Sequence, residues 1–341
     1  MFRFVENRKE IVNYKRLSVF FLIVFVILSS AAVNAADIDK MSKLKTIGPA
    51  NMSSGTILKP GKMAVGIKYL SFSKDQLYAG ENEISGKYNG KLEQEQALVL
   101  TGIRYGINKK MDIRLNIPYY KKDLKRRCYV GSPKSDVITT TNKGLGDIIM
   151  MGRYSLLSQK KGDSCSLAVG LGIKMPTGDS DKKNPLPFSK KYKYLGPGFQ
   201  LGTGSWDPKF ELGFTKNYLR SRIDSHLMYT WGNQGQHGLE KGDVFKYNLA
   251  YSYALSKVYD LQLELNGIKA DKSLNNNEIV TNSGGDTIFL TPGIHFKLKN
   301  NYNISVAVPI TIYRDLNADA QAEKFALGED YRVVIKASHL F

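Results

Sequence analysis

The 341-residue chain holds 49 Lys and Arg against 31 Asp and Glu, a formal charge of +18, with 20 Tyr, 15 Phe, 31 Gly and two Cys. Beyond the amino terminus no apolar run approaches the roughly twenty residues a membrane-crossing helix needs, and no helical heptad stands out. A plasma-membrane helical protein is thereby excluded; a membrane protein of this composition must cross with strands.

In chain order, Arg3, Arg8, Lys9, Lys15 and Arg16 precede a short apolar run, Val19 to Leu28, followed by Ala31-Ala32-Val33-Asn34-Ala35-Ala36. A basic start, a short apolar run and small residues at a cleavage point define a secretory signal peptide, here residues 1–35 with the cut after Ala35. No cysteine follows the cut, which argues against a lipoprotein. Removing five basic and two acidic residues with the signal leaves +15. Export makes nucleic acid a poor partner for that charge and leaves anionic lipid or anionic solute. Residues 36–61 are expected to form a periplasmic amino-terminal segment able to plug a pore, and 62–341 a barrel.

From residue 62 apolar residues fall at every second position, as in strands whose successive side chains point to opposite faces. Met111, Ile113, Leu115, Ile117 and Tyr119 face one way, while Asp112, Arg114, Asn116, Pro118 and Tyr120 face the other. Twelve such segments are expected, at 62–73, 94–107, 111–121, 144–158, 164–176, 206–217, 221–231, 243–255, 259–270, 286–298, 302–314 and 330–341. Short turns such as Asn108-Lys109-Lys110, Ser256-Lys257-Val258 and Lys299-Asn300-Asn301 alternate with long loops such as 122–143 and 177–205. Outer-membrane barrels sort their connections in this way. The expected fold is all-β, a single antiparallel transmembrane β-barrel with both termini in the periplasm. Basic residues in the long loops, Lys121, Lys122, Lys125, Arg126, Arg127, Lys182, Lys183, Lys190, Lys191 and Lys193, read as solvated charge near anionic lipid. Cys128 and Cys165 fall near opposite membrane faces, so free thiols are expected.

The last segment presents Tyr331, Val333, Ile335, Ala337, His339 and Phe341 on one face. This resembles the carboxyl-terminal strand that the barrel-assembly machinery recognises in outer-membrane proteins. Three further segments are less generic: Gly144-Leu145-Gly146-Asp147, Lys174-Met175-Pro176-Thr177-Gly178-Asp179, and Leu201-Gly202-Thr203-Gly204-Ser205-Trp206-Asp207-Pro208. Their order and spacing resemble the family of outer-membrane transporters named for the meta-pathway of phenol degradation. The resemblance implies a barrel and a channel-like role in the outer membrane. Physically, the glycines suit close backbone approach at strand ends. Asp147 and Asp207, just below them, are placed to meet Lys174 or Arg153 in a polar ladder that stiffens the wall.

Polar parity collects the pore-lining candidates: Lys68, Arg104, Arg114, Arg153, Lys174, Lys209, Arg222, Lys246, Lys297, Arg332 and Lys336, with the acids Asp112, Asp147, Asp207, Glu211, Asp224 and Glu264. The basic excess predicts a mild anion preference for a small-solute channel. Twelve strands lie between the filled eight-stranded barrel and the open sixteen-stranded porin. Two other readings are an outer-membrane lipid-modifying hydrolase and a structural or adhesive barrel with loop aromatics Phe188, Tyr192 and Tyr194. The hydrolase needs a serine paired with His226, His237, His295 or His339 at the outer rim, and the sequence offers no such pairing. No spacing suggests a metal or cofactor site.

Overall fold

The computed structural model describes residues 46–84, 92–128, 136–184, 193–321 and 324–341, the side chains of 92, 126–128 and 136 excepted. The expected signal peptide, residues 36–45, the Cys128 thiol, Phe188, Lys190, Lys191 and Tyr192 lie outside the described residues.

Twelve antiparallel strands make the wall. They are β1 (Met63–Lys74), β2 (Leu92–Gly106), β3 (Met111–Cys128), β4 (Asp136–Leu145 and Ile149–Leu157), β5 (Ser166–Lys174) and β6 (Asp207–Asn217). They continue as β7 (Ser221–Thr230), β8 (Val244–Ala254), β9 (Tyr259–Ala270), β10 (Gly285–Lys297), β11 (Tyr302–Ala307 and Ile310–Leu316) and β12 (Arg332–Leu340). Each pairs with the next in the chain, and β12 closes onto β1 through a register running from Ala64↔Leu340 to Phe72↔Arg332. Closure leaves the ring without end strands, the requirement for any sheet that crosses lipid, although Asp136–Leu145 pairs on one side only, with β3.

The strands turn their apolar faces outward. Leu171 is 65% exposed, and Ile67, Leu249 and Ile312 are similarly open, whereas the buried residues are predominantly polar. Exposed Tyr105, Tyr154, Tyr218, Tyr259, Tyr302 and Phe341 ring the short-turn end, and Tyr119, Trp206, Trp231 and Tyr313 lie toward the long-loop end. An apolar band between two aromatic girdles is the exterior of a membrane barrel. The Lys299-Asn300-Asn301 turn shows its local cause: Asn300 and Asn301 both take positive φ, which asparagine tolerates better than most residues.

Three segments depart from the alternation. β3 runs on to Cys128 and pairs with the first half of β4, so Lys121 to Arg127 are in a strand, not a loop. β4 breaks at 146–148, where the Gly146 N–H still donates to the Pro118 carbonyl. β11 breaks at Val308-Pro309, because proline brings no N–H to the ladder. Beyond the wall, 76–79 pairs with 326–328 and 82–83 in a small separate sheet.

Candidate functional site

The interior of the barrel is ionic, and its charges are sorted by depth. Toward the short-turn end nearly every charge is matched. Asp112, fully buried on β3, receives Arg104 Nη2 from β2 at 2.6 Å and Arg153 Nε from β4 at 3.0 Å. Glu211 on β6 accepts from Arg114 Nη2 at 2.8 Å and lies 3.3 Å from His226 Nε2. Arg222 pairs with Asp224 on its own strand at 2.6 Å, and Lys297 with fully buried Asp260 at 2.5 Å. Neighbouring inward positions bring these groups together, and the ladder between them fixes the distance.

A stretch of chain preceding β1 crosses this ionic floor. The backbone N–H of Ile47 donates to Asp260 at 2.7 Å, and those of Ala50 and Asn51 donate to Glu264 at 2.8 and 3.2 Å. The Gly55 N–H donates to Thr215 and the Leu58 N–H to Asp112. In return Lys336 donates to the Pro49 carbonyl at 3.2 Å, Arg153 to the Ser54 and Thr56 carbonyls, and Arg104 to Thr56. Small residues are a steric requirement here: a Cβ at Gly55 would stand 2.5 Å from the Ser166 carbonyl oxygen. The segment is thus held by its own backbone, anchored on β9 and β12 at one end and on β2, β3, β4 and β6 further along. Beside Thr56–Pro60 a cavity of about 200 Å³ remains, lined also by Lys109, Ser158 and Asn217.

Above this floor four inward lysines are left over. Lys68, Lys209, Lys246 and Lys336 have no carboxylate within ion-pair distance among the described residues; Lys209 donates to the Thr230 hydroxyl at 2.6 Å. Arg332 is paired with Glu329 at 2.5 Å and stacks over Phe289, its guanidinium 4.4 Å from the ring centre.

The three glycine-bearing motifs converge at the long-loop end of β4, β5 and β6. Lys174 Nζ lies 2.9 Å from Asp147 and 2.6 Å from Asp207. Asp147 also accepts the N–H of Gly178 and of Thr203, and Asp207 accepts from Ser205 at 2.8 Å. Thr177 donates to the Gly146 carbonyl, while the Asp179 carbonyl receives the N–H of Gly202 at 2.9 Å. A Cβ at Gly202 would meet Gly178 O and Asp147 Oδ1 at 2.4 Å, and Gly204 needs its φ of +72°. Pro176 is half-buried, and Trp206 points outward.

Of the residues collected by parity, Asp112, Asp147, Arg153, Asp207, Lys209, Glu211, Arg222, Asp224 and Glu264 are buried, and Lys68, Arg104, Arg114, Lys174, Lys246, Lys297, Arg332 and Lys336 are half-buried. Pairing was less legible. Arg153 meets Asp112 and Glu211 rather than Asp147 or Asp207. Asp260 was missed as an inward acid, and Lys122, expected as loop charge, is buried and donates to the Gly198 and Gln200 carbonyls, pinning the β5–β6 loop inside the mouth. His295 hydrogen-bonds Ser305 at 2.6 Å and Gln262 at 2.7 Å, fully enclosed within the barrel and away from its outer rim. His237 lies 2.5 Å from Asp181 and stacks on Tyr194. Cys165 is a free thiol.

A closed strand wall, apolar outside and ionic within, defines this chain as a membrane-type β-barrel with a polar lumen. It belongs to the family described as "Putative MetA-pathway of phenol degradation", whose profile matches residues 91–323. Among solved structures, the fold matches an outer-membrane channel from Pseudomonas putida F1 with a TM-score of 0.61 at 12% identity, covering 87% of this chain and all of that one. Weaker similarities include the transport unit of the autotransporter AIDA-I from Escherichia coli (TM-score 0.44, 11% identity, 90% of this chain and 96% of that one). Another is a FadL homologue from Pseudomonas aeruginosa (TM-score 0.41, 7% identity, 82% and 90%). No curated protein sequence matches the chain.

Proposed function

We propose that the protein is an outer-membrane channel, delivered by Sec-type export, that passes small solutes with a mild preference for anions. One observation carries the preference: Lys68, Lys209, Lys246 and Lys336 face the interior without carboxylate partners among the described residues, while the inward acids are engaged by arginine, lysine or backbone N–H groups. Selectivity in a narrow pore follows the sign of its unmatched lining charge. The outer band of exposed leucine, isoleucine and valine supports a lipid environment, and the similar Pseudomonas putida structure is described as a channel. In this orientation the short turns face the periplasm and the long loops the exterior. Residues 47–61 then act as a plug that narrows the periplasmic side, and β12 with Phe341 is the strand presented to the barrel-assembly machinery.

Planar bilayers containing the purified protein under a potassium chloride gradient test the proposal. The reversal potential is expected on the chloride side of zero. A displacement toward potassium would overturn the anion preference, and absence of any conductance would overturn the channel.

A further inference from the structure

The two rims of the barrel carry charge differently. At the long-loop rim, outer cations meet carboxylates: Lys121 Nζ lies 3.0 Å from Asp123, Lys125 Nζ 2.7 Å from Glu95 and Arg314 Nη2 2.9 Å from Asp330. At the short-turn rim every turn carries a cation. Lys109 and Lys110 stand in 108–110, Lys161 in 158–165, Arg220 in 218–220, Lys257 in 255–258 and Lys299 in 298–301. Asp163 is the one acid in these turns, and its carboxylate already accepts the Ser158 N–H. Lys59 and Lys62, either side of Gly61, continue the ring to the seam, where the carboxyl group of Phe341 beside Met63 is the other negative charge. None of these short-turn lysines has a carboxylate within ion-pair distance among the described residues.

Three cations of this rim lie over rings of the wall's outer face. Lys110 Nζ stands 5.7 Å from the ring centre of exposed Tyr154, and Lys216 Nζ 5.5 Å from that of exposed Tyr218. The Arg220 guanidinium lies 5.0 Å from the ring centre of Tyr253 while its Nη2 donates to the Ala254 carbonyl. Lys216 leaves β6 on the same face as Phe214, opposite Ile223 in register. A charge on that face is costly at the depth of the hydrocarbon and cheap at its edge. A long side chain avoids the cost by laying its methylenes along apolar surface and carrying its ammonium to the headgroups, the level at which tyrosine rings settle. We propose that the short-turn rim is a docking surface for anionic phospholipid, whose phosphates its cations meet at the level of the aromatic girdle. An acidic soluble partner would need cations aimed away from the membrane, whereas these three lie on lipid-facing rings. Charge of one sign around a closed ring also fits a fluid layer of like headgroups better than a single shaped partner.

The proposal rests on the outer-membrane reading for orientation alone, and lipid preference is read without any current. In vesicles holding the full-length protein, spin-labelled phosphatidylglycerol is expected to occupy the protein's lipid shell about threefold more than spin-labelled phosphatidylcholine at low salt. The difference should vanish at about 1 M salt, where the screening length falls to about 3 Å. Lys110→Gln, Lys216→Gln and Lys257→Gln combined should remove most of it, and arginine at the same three positions should keep it. Lys121→Gln with Lys125→Gln at the other rim should leave it unchanged. Equal occupancy by the two lipids, or a preference that survives the three glutamines, overturns the docking surface whether or not the protein conducts. Equal occupancy joined to salt-sensitive binding of polyglutamate would assign the rim to an acidic polypeptide instead. Lipid preference in a non-conducting protein sinks the channel reading and leaves the rim standing. Labelling of Lys257→Cys on intact cells by an impermeant maleimide, above that of the unsubstituted chain, would overturn the periplasmic leaflet as the source of the lipid.

Discussion

Asp112 joins three parts of the protein at once: Arg104 of β2, Arg153 of β4 and the Leu58 N–H of the segment that crosses the lumen. Its side chain is fully buried, so its charge is stable only because those donors surround it. Removing one member of a buried ion pair costs about 3–5 kcal/mol, well above the 0–1 kcal/mol of an exposed pair. Asp112→Asn is therefore expected to lower the temperature at which the folded band is lost on heat-modifiability gels, far more than Asp123→Asn at the long-loop end. Equal shifts would show that the cluster is dispensable. At this scale alternation assigns a face but not a partner, and it left out Asp260, which is buried against Lys297, and Lys122, which is buried in the mouth. Alternation gives the side of the wall; the partner depends on register, and a two-residue shift along β4 or β6 moves a charge to another depth while preserving its parity. For that reason Lys174 was placed correctly beside Asp147 and Asp207, Arg153 was not, and the His295–Ser305 contact was missed.

Among the elements, strands with apolar residues on one face only were legible to within a residue or two, as at 221–230 and 259–270. The outer part of β3 was not, because a sheet that rises clear of lipid has water on both faces and no longer alternates. Lys121-Lys122-Asp123 thus reads as a loop, although each residue pairs in register with β4. Least legible was the segment at 47–61, whose attachments use mainly the backbone N–H and C=O groups of Ile47, Pro49, Ala50, Asn51, Ser54, Gly55, Thr56 and Leu58, and backbone bonding leaves no side-chain period. Its hold on the wall has a measurable consequence. Deleting residues 47–58 from the full chain is expected to raise single-channel conductance, since no other described chain crosses the lumen at that depth. An unchanged step size would count against the plug.

The molecule as a whole inverts the usual arrangement of a globular fold, with leucines outside and arginines within. That inversion is stable only in a solvent less polar than the interior, and it makes the cost of an outward charge depend on depth. Leu171→Lys, toward the middle of the outer face, should destabilise folding by about 2–4 kcal/mol in lipid vesicles, and Tyr259→Lys at the short-turn girdle by about 0–1 kcal/mol. Equal costs would mean that the band is not immersed as proposed. The segment in the lumen also has unequal ends. At Gly61 it is stitched to the wall, where the Gly61 N–H donates to the Gly106 carbonyl and the Gly106 N–H to Lys62, both at 2.9 Å. Peeling starts at Ile47, baring Asp260 and Glu264 first, and reaches Arg114, Arg153 and Arg104 only when Ser53 to Thr56 lift away. Asp260 keeps Lys297, and Arg104, Arg153 and Arg114 keep Asp112 and Glu211 as the segment lifts, so widening the passage uncovers ion pairs already made and leaves their balance of charge intact.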